Sequence, residues 1–210
     1  MTSTKKAALS VINHQKDISY PLDYSFKGAN EFSDFMSEKP RKRDEKCLVE
    51  DDISSEKGST FLIEKTYTTA FRVNNNLLSD WAGFMDTLEA LIVNPAHNLA
   101  WLDLSFNDLK SIDSAILQLP NLTMLYLHGN NIMDLEEVDK LSALPKLITL
   151  SLHGNPLEAT KGYYQYVLSK VPQLKTLDFT GVSRADKDTA TVWSTMIAPK
   201  PKKKKKPKDN

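Results

Sequence analysis

One spacing recurs along this chain and limits its possible folds more than any bulk property does. Leu99, Leu102, Leu104, Asn107 and Leu109 fit the pattern LxxLxLxxNxL. The same slots return as Leu122, Leu125, Leu127, Asn130 and Ile132, then as Leu147, Leu150, Leu152, Asn155 and Leu157, at offsets of 23 and 25 residues. A degenerate earlier copy, Phe71, Val73, Asn76 and Leu78, keeps the last four slots. A later copy, Leu174, Leu177 and Phe179, keeps the first three and has Val182 in place of asparagine. Self-similarity at this period predicts a stacked α/β solenoid of about five rungs with atypical terminal units that seal a continuous core.

The spacing has a physical reading. In an LxL segment alternate side chains leave opposite faces of a strand, so both leucines enter the core and their neighbours face out. The strands then form a parallel concave sheet, with helical or irregular segments on the convex side. Asn76, Asn107, Asn130 and Asn155 are expected to turn inward as a ladder whose amides satisfy loop backbone groups, each of which would cost about 1–3 kcal/mol if left unpaired. Trp81, Phe84, Met85, Leu88 and Leu91 or Ile92 recur at helical spacing behind an Asp80 N-cap, with a stop near Asn94 at Pro95. Leu119-Pro120 and Leu144-Pro145 read as turn-and-stop signals. Gly162 to Val171 reads as a helix with Tyr163, Tyr166, Val167 and Val171 inward. Ser183 and Asp186 read as the capping box of a final helix whose Ala190, Trp193 and Ile197 face inward, Trp193 closing the core.

Outside residues 61–197 the chain has a different character. Residues 1–60 are polar and aperiodic, a mostly flexible arm in which Tyr20 to Phe26 forms an aromatic docking segment. Residues 198–210 form a disordered lysine-rich tail carrying Lys200, Lys202, Lys203, Lys204, Lys205, Lys206 and Lys208. The net charge of zero conceals this segregation: residues 60–199 carry 10 basic against 15 acidic groups, and residues 200–210 carry 7 against 1. The single Cys47 can close no internal disulfide and points to a reducing compartment. The apolar stretch near the N-terminus is too short for a signal core or a membrane span.

No glycine-rich phosphate loop, dinucleotide fingerprint, HExxH or paired CxxC is present. Chemistry therefore rests on the outward strand positions: Ala70, Trp101, Met124, Thr149 and Thr176; Arg72, Asp103, Tyr126, Ser151 and Asp178; Asn74, Ser105, His128, His153 and Thr180. His128 and His153 on adjacent rungs would stand about 4.8 Å apart, too poor in further ligands for a metal site. Ser105, Ser151, His128, His153 and Asp178 contain the ingredients of a nucleophilic triad but no oxyanion hole or closed pocket. Trp101, Met124 and Tyr126 are better suited to anchoring a partner, since large rings on a rigid sheet dominate interface energies. The expected partner-binding face is Arg72, Trp101, Asp103, Met124, Tyr126, His128, Ser151, His153 and Asp178, with no catalytic residue, cofactor or small-molecule substrate.

At the level of these motifs the chain resembles short intracellular leucine-rich repeats, and NPLEATKGYYQYVLSKVPQLKTLDFTGV looks like the C-terminal cap of that group. PLDYSF, NLAWLDLSFNDL, YLHGN, LHGNP and GYYQYVL look more closely like the leucine-rich-repeat-containing protein 51 family, over most of residues 20–199. The resemblance implies a non-enzymatic, cytoplasmic protein-binding scaffold with an axonemal partner in a cilium or flagellum. In that setting the tail lysines would meet an acidic surface such as that of tubulin. The competing expectation is a nuclear or nucleic-acid-associated protein using the basic tail, which lacks aromatic residues to stack on bases.

Overall fold

The computed structural model describes residues 20–41 and 65–196. Downstream of a two-residue β1 (Leu22–Asp23), three-residue strands form where the LxL segments predict them: β2 (Ala70–Arg72), β3 (Trp101–Asp103), β4 (Met124–Tyr126) and β5 (Thr149–Ser151), followed by a shorter β6 (Thr176–Leu177). Each pairs in parallel with the next, aligning Phe71, Leu102, Leu125, Leu150 and Leu177 in one column. All five are fully buried, so the register of the sheet and the register of the core are the same fact.

The asparagine ladder forms as expected. The Asn130 side-chain Nδ2 donates to the carbonyls of Leu104 and Leu127, and its Oδ1 accepts from Leu109 N–H. Asn107 does the same for Val73, Leu104 and Leu78, and Asn155 for Leu127, Leu152 and Ile132. Each amide thus bridges its own rung and the preceding one, which gives the backbone bends buried partners where water is excluded.

Upstream, β1 (Leu22–Asp23) pairs in parallel with β2 and adds a rung that the repeat pattern does not announce. Its Lys27 stands at the ladder position, and the N–H groups of Lys27 and Ala29 donate to Asn76 Oδ1. A short 3-10 helix at Phe32–Met36 buries Phe32 and Phe35, whose rings lie 5.1 Å from Phe84 and 5.3 Å from Tyr24. These aromatics close the open end of the core. The packed segment extends past the expected 20–26 anchor to Arg41, whose N–H donates to Asp23 O. Residues 1–19 and 42–60 of the expected arm lie outside the described residues, as do Ile197 and the whole lysine tail.

On the convex side, α1 runs from Phe84 to Leu91 and starts from Gly83, not from Asp80. The Asp80 carboxylate instead accepts from Ala82 N–H in the preceding turn. Pro95 does not merely stop this helix; it opens α2 (Pro95–Asn98), where its missing N–H costs nothing. The connectors read as turns contain 3-10 helices at Ser114–Gln118 and Leu135–Ala143. The helix α3 (Tyr163–Lys170) buries Tyr163, Val167 and Leu168, while Tyr166 stays half-buried with its hydroxyl on Asp139.

The downstream end differs most from expectation. Phe179 was expected in a core slot, but β6 stops at Leu177 and the chain reverses into an antiparallel β7 (Thr180–Gly181). Asp178 and Phe179 both take left-handed backbone, φ 49° and 62°, the combination that a two-residue hairpin with the strands' own twist requires. The reversal sends the Phe179 ring outward. A final helix α4 (Arg184–Met196) starts from the expected box, Ser183 N–H donating to Asp186 and Asp186 N–H to Ser183 Oγ. Ala190 is its buried residue; Trp193 is half-buried and lies against Gly162 and the Tyr166 ring. Trp193 therefore fastens α4 to α3 and does not enter the repeat core.

Candidate functional site

The strands hold the outward residues in rows, but the rows are not equally open. Trp101, Met124, Tyr126, His153 and Arg72 are partly exposed, whereas Ser151 is fully buried and Asp103 nearly so. Ser151 is thus no partner-contact residue: it bonds His128 Nδ1 at 2.7 Å beneath the surface. Asp103 Oδ1 accepts from the Ser105 amide and hydroxyl, and its Oδ2 stands 3.6 Å from Arg72 Nε. The Asp178 carboxylate is also spent on the fold. Its Oδ1 accepts from the N–H groups of Leu152 and His153 and its Oδ2 from the Tyr163 hydroxyl, so it supplies acceptors at the end of β5 where a strand would have continued.

Two residues missing from the expected face turn out to shape it. The Phe179 ring, thrown outward by the hairpin, packs edge-on against Tyr126, His128 and His153 at 5.4 to 5.5 Å. Phe106 sits directly before the ladder residue Asn107 with φ 52°, the position that Asn75, Gly129 and Gly154 fill in other rungs. Its ring covers Gly129, where a Cβ would lie 2.6 Å from the ring, and meets His128 at 5.0 Å. Both phenylalanines remain more than half exposed. The available sequence signal was an aromatic residue where neighbouring repeats place Asn or Gly.

With Trp101 and Tyr126 in contact at 6.0 Å, the rings form an unbroken strip across β3, β4 and β5. His128 and His153 stack within it, 4.7 Å between centroids and 8° between planes. At the upstream end the Arg72 guanidinium lies over Trp101 at 5.8 Å and reaches Asp23 at 3.3 Å. Burial, and secondarily the neighbouring His153, hold His128 below its usual pKa against the opposing pull of Asp103 and Asp178. Burial, helped by Asp103, raises the Tyr126 phenol, which stays protonated and able to donate.

The strip has the composition of a binding surface and not of a reactive centre. A nucleophile must reach its substrate, and Ser151 is covered while Asp178 is engaged by backbone amides, so the serine, histidine and aspartate do not form a relay. Among the described residues no group of three or more His, Cys, Asp or Glu is placed to hold a metal ion. None of the described helices is long and apolar enough to cross a membrane.

Comparison with known proteins agrees with this architecture. Residues 84–204 match the family model described as leucine-rich repeat. Leucine-rich repeat-containing protein 51 of Rattus norvegicus is 46% identical over 183 residues, 87% of this chain and 88% of its own length. The Homo sapiens protein of that name matches with the same identity and coverage. Among solved structures, a chain in the Drosophila melanogaster SNF/U2A' complex superposes with a TM-score of 0.50 and 28% identity, over 60% of this chain and 68% of that one. The chain belongs to the leucine-rich repeat-containing protein 51 family, within a repeat class whose members are typically non-enzymatic protein-interaction proteins.

Proposed function

We propose that the chain is a scaffold that grips a protein partner across its concave face. The observation that carries this reading is the unbroken strip of rings from Trp101 through Tyr126 and Phe179 to His128 and His153. Left-handed backbone at a bulky residue costs about 1–3 kcal/mol, and Phe106 and Phe179 bear that cost while remaining largely exposed. The hairpin and the rung turn set the backbone there; an exposed phenylalanine in place of asparagine or glycine is what contact with a partner would explain. Changing Trp101 and Tyr126 together to Ala is expected to release the partner in a pull-down with the melting temperature nearly unchanged. Equal recovery by variant and parent would overturn the reading.

In its finer form the proposal is a cytoplasmic component of a ciliary or flagellar axonemal assembly, and the family resemblance is what supports that part. The lysines of residues 200–208 support a second, electrostatic contact with an acidic surface such as that of tubulin. Imaging a tagged chain with and without residues 199–210 tests both. Retention along cilia agrees with the axonemal form, whereas tail-dependent nuclear accumulation would favour a nuclear or nucleic-acid-associated role.

A further inference from the structure

The concave face already seats one arginine of the chain itself. The Arg72 guanidinium lies over the Trp101 ring at 5.8 Å and between two carboxylates, Asp23 at 3.3 Å and Asp103 at 3.6 Å. A flat, weakly hydrated cation stacks on a ring and still directs its N–H groups at carboxylate oxygens, which a strongly hydrated ammonium does less well.

The charges on this face do not balance. The column that runs Asp23, Arg72, Asp103, Tyr126 and Ser151, and continues past β6 to Asp178, sets three carboxylates against one guanidinium. Adding Arg41, which lies over Phe26 at the upstream margin and donates to Ser25, still leaves three against two. Burial first, and then His153, hold His128 below its usual pKa, so it adds little positive charge near neutrality.

The excess sits at the downstream end. Asp178 accepts from the amides of Leu152 and His153 and from the Tyr163 hydroxyl, all neutral donors, and with burial its charge raises that phenol. His153 Nδ1 stands 3.6 Å from the carboxylate, too far for a hydrogen bond, and has no other partner. The exposed Phe179 ring follows Asp178 in the chain and packs against Tyr126 and His153. Ring and carboxylate thus recur here without the guanidinium that accompanies them at Arg72. Trp101 Nε1 has no hydrogen-bond partner and the Tyr126 hydroxyl has only the Met124 sulfur, so a bound segment finds donors for its backbone in any conformation. Its charge is what the face selects.

Building on the scaffold reading above, we infer that the downstream end of the concave face takes an arginine from a basic segment of a partner protein, its guanidinium against Phe179 and its N–H groups toward Asp178. The test uses the full chain, isotope-labelled, at fixed ionic strength. It is titrated with a capped decamer of alternating glycine and arginine, and separately with its lysine and glutamate counterparts, while the Tyr126, His153 and Phe179 ring signals are followed. The arginine peptide is expected to shift them and to bind about fivefold more tightly than the lysine peptide, and the glutamate peptide to leave them in place. Two variants assign the contact. Asp178→Asn keeps an oxygen for the two amides and removes the charge, while Phe179→Asn removes the ring from a left-handed position that asparagine tolerates. Each is expected to weaken the arginine peptide about fivefold at a nearly unchanged melting temperature, and should one variant lose its fold the other decides. Equal or tighter binding of the lysine or glutamate peptide, binding indifferent to both variants, or no shift with any peptide would overturn the inference. Release of a partner by the Trp101 and Tyr126 double change would still leave the scaffold reading standing. Movement of the same signals on deleting residues 197–210, or on raising the protein concentration, overturns the inference too, giving the face to the chain's own lysines or to a second copy.

Discussion

His128 and His153, one rung apart, lie with their rings nearly parallel and 4.7 Å between centroids, Phe106 packing edge-on against His128 and Phe179 against both. Two imidazoles so placed can both be neutral, but a proton on His128 must sit in a site only 9% exposed and beside a second basic ring.

That arrangement sets a direction for stability against pH. The folded chain holds His128 below its ordinary pKa of 6.5, so on acidification the unfolded chain takes up the proton first. The contribution of His128 is whole above about pH 6.5 and is lost as the pH falls below it. Urea denaturation should show the parent losing more stability than His128→Gln between about pH 7.5 and about pH 5.5. Equal losses would mean that another group governs this range.

Asn130→Leu is expected to cost about 1–3 kcal/mol. The carbonyls of Leu104 and Leu127 would keep Asn107 and Asn155 as donors, so what is orphaned is the N–H of Leu109. Chemical denaturation without a loss would contradict the ladder.

Phe106→Asn should separate stability from binding. Asn75 holds the equivalent left-handed position, φ 56°, and asparagine tolerates it better than phenylalanine. The variant is expected to unfold no earlier than the parent, with a gain of up to about 1 kcal/mol, while partner recovery falls. A clear loss of stability would show that the ring serves the core.

Asp178→Ala removes the acceptor for two backbone amides and for the Tyr163 hydroxyl. A loss of about 3 kcal/mol is expected by denaturation, concentrated at the downstream end, where hydrogen exchange at Leu152 and His153 should accelerate.

For the tail, removing Lys200 to Lys208 is expected to weaken microtubule co-sedimentation at low salt and to flatten its salt dependence, since screening acts over about 8 Å at physiological ionic strength. If truncated and full-length chains sediment alike at every ionic strength, the tail serves only solubility.

The rungs and the ladder were legible because Leu102, Leu125 and Leu150, and Asn107, Asn130 and Asn155, each do one job at a fixed spacing. Trp101, Met124 and Tyr126 followed from strand alternation alone. Phe106 and Phe179 did not, because a positive φ at a single residue redirects its side chain and leaves no periodic trace; Asp178 was placed outward by the same alternation, but its role as acceptor for the amides of Leu152 and His153 was not legible. The rung at Leu22–Asp23 was hidden for a different reason: Lys27 contributes a backbone N–H to a neighbour's asparagine, so no side-chain pattern marks it.

The antiparallel β7 has a consequence for how large such a molecule can be. A further unit of the same pattern, appended after Gly181, would find a strand running the wrong way and a tight reversal in place of an inward asparagine. At this end the sheet can therefore lengthen only by insertion ahead of β6, and the reversal itself, before any cap packs on it, decides where the stack stops.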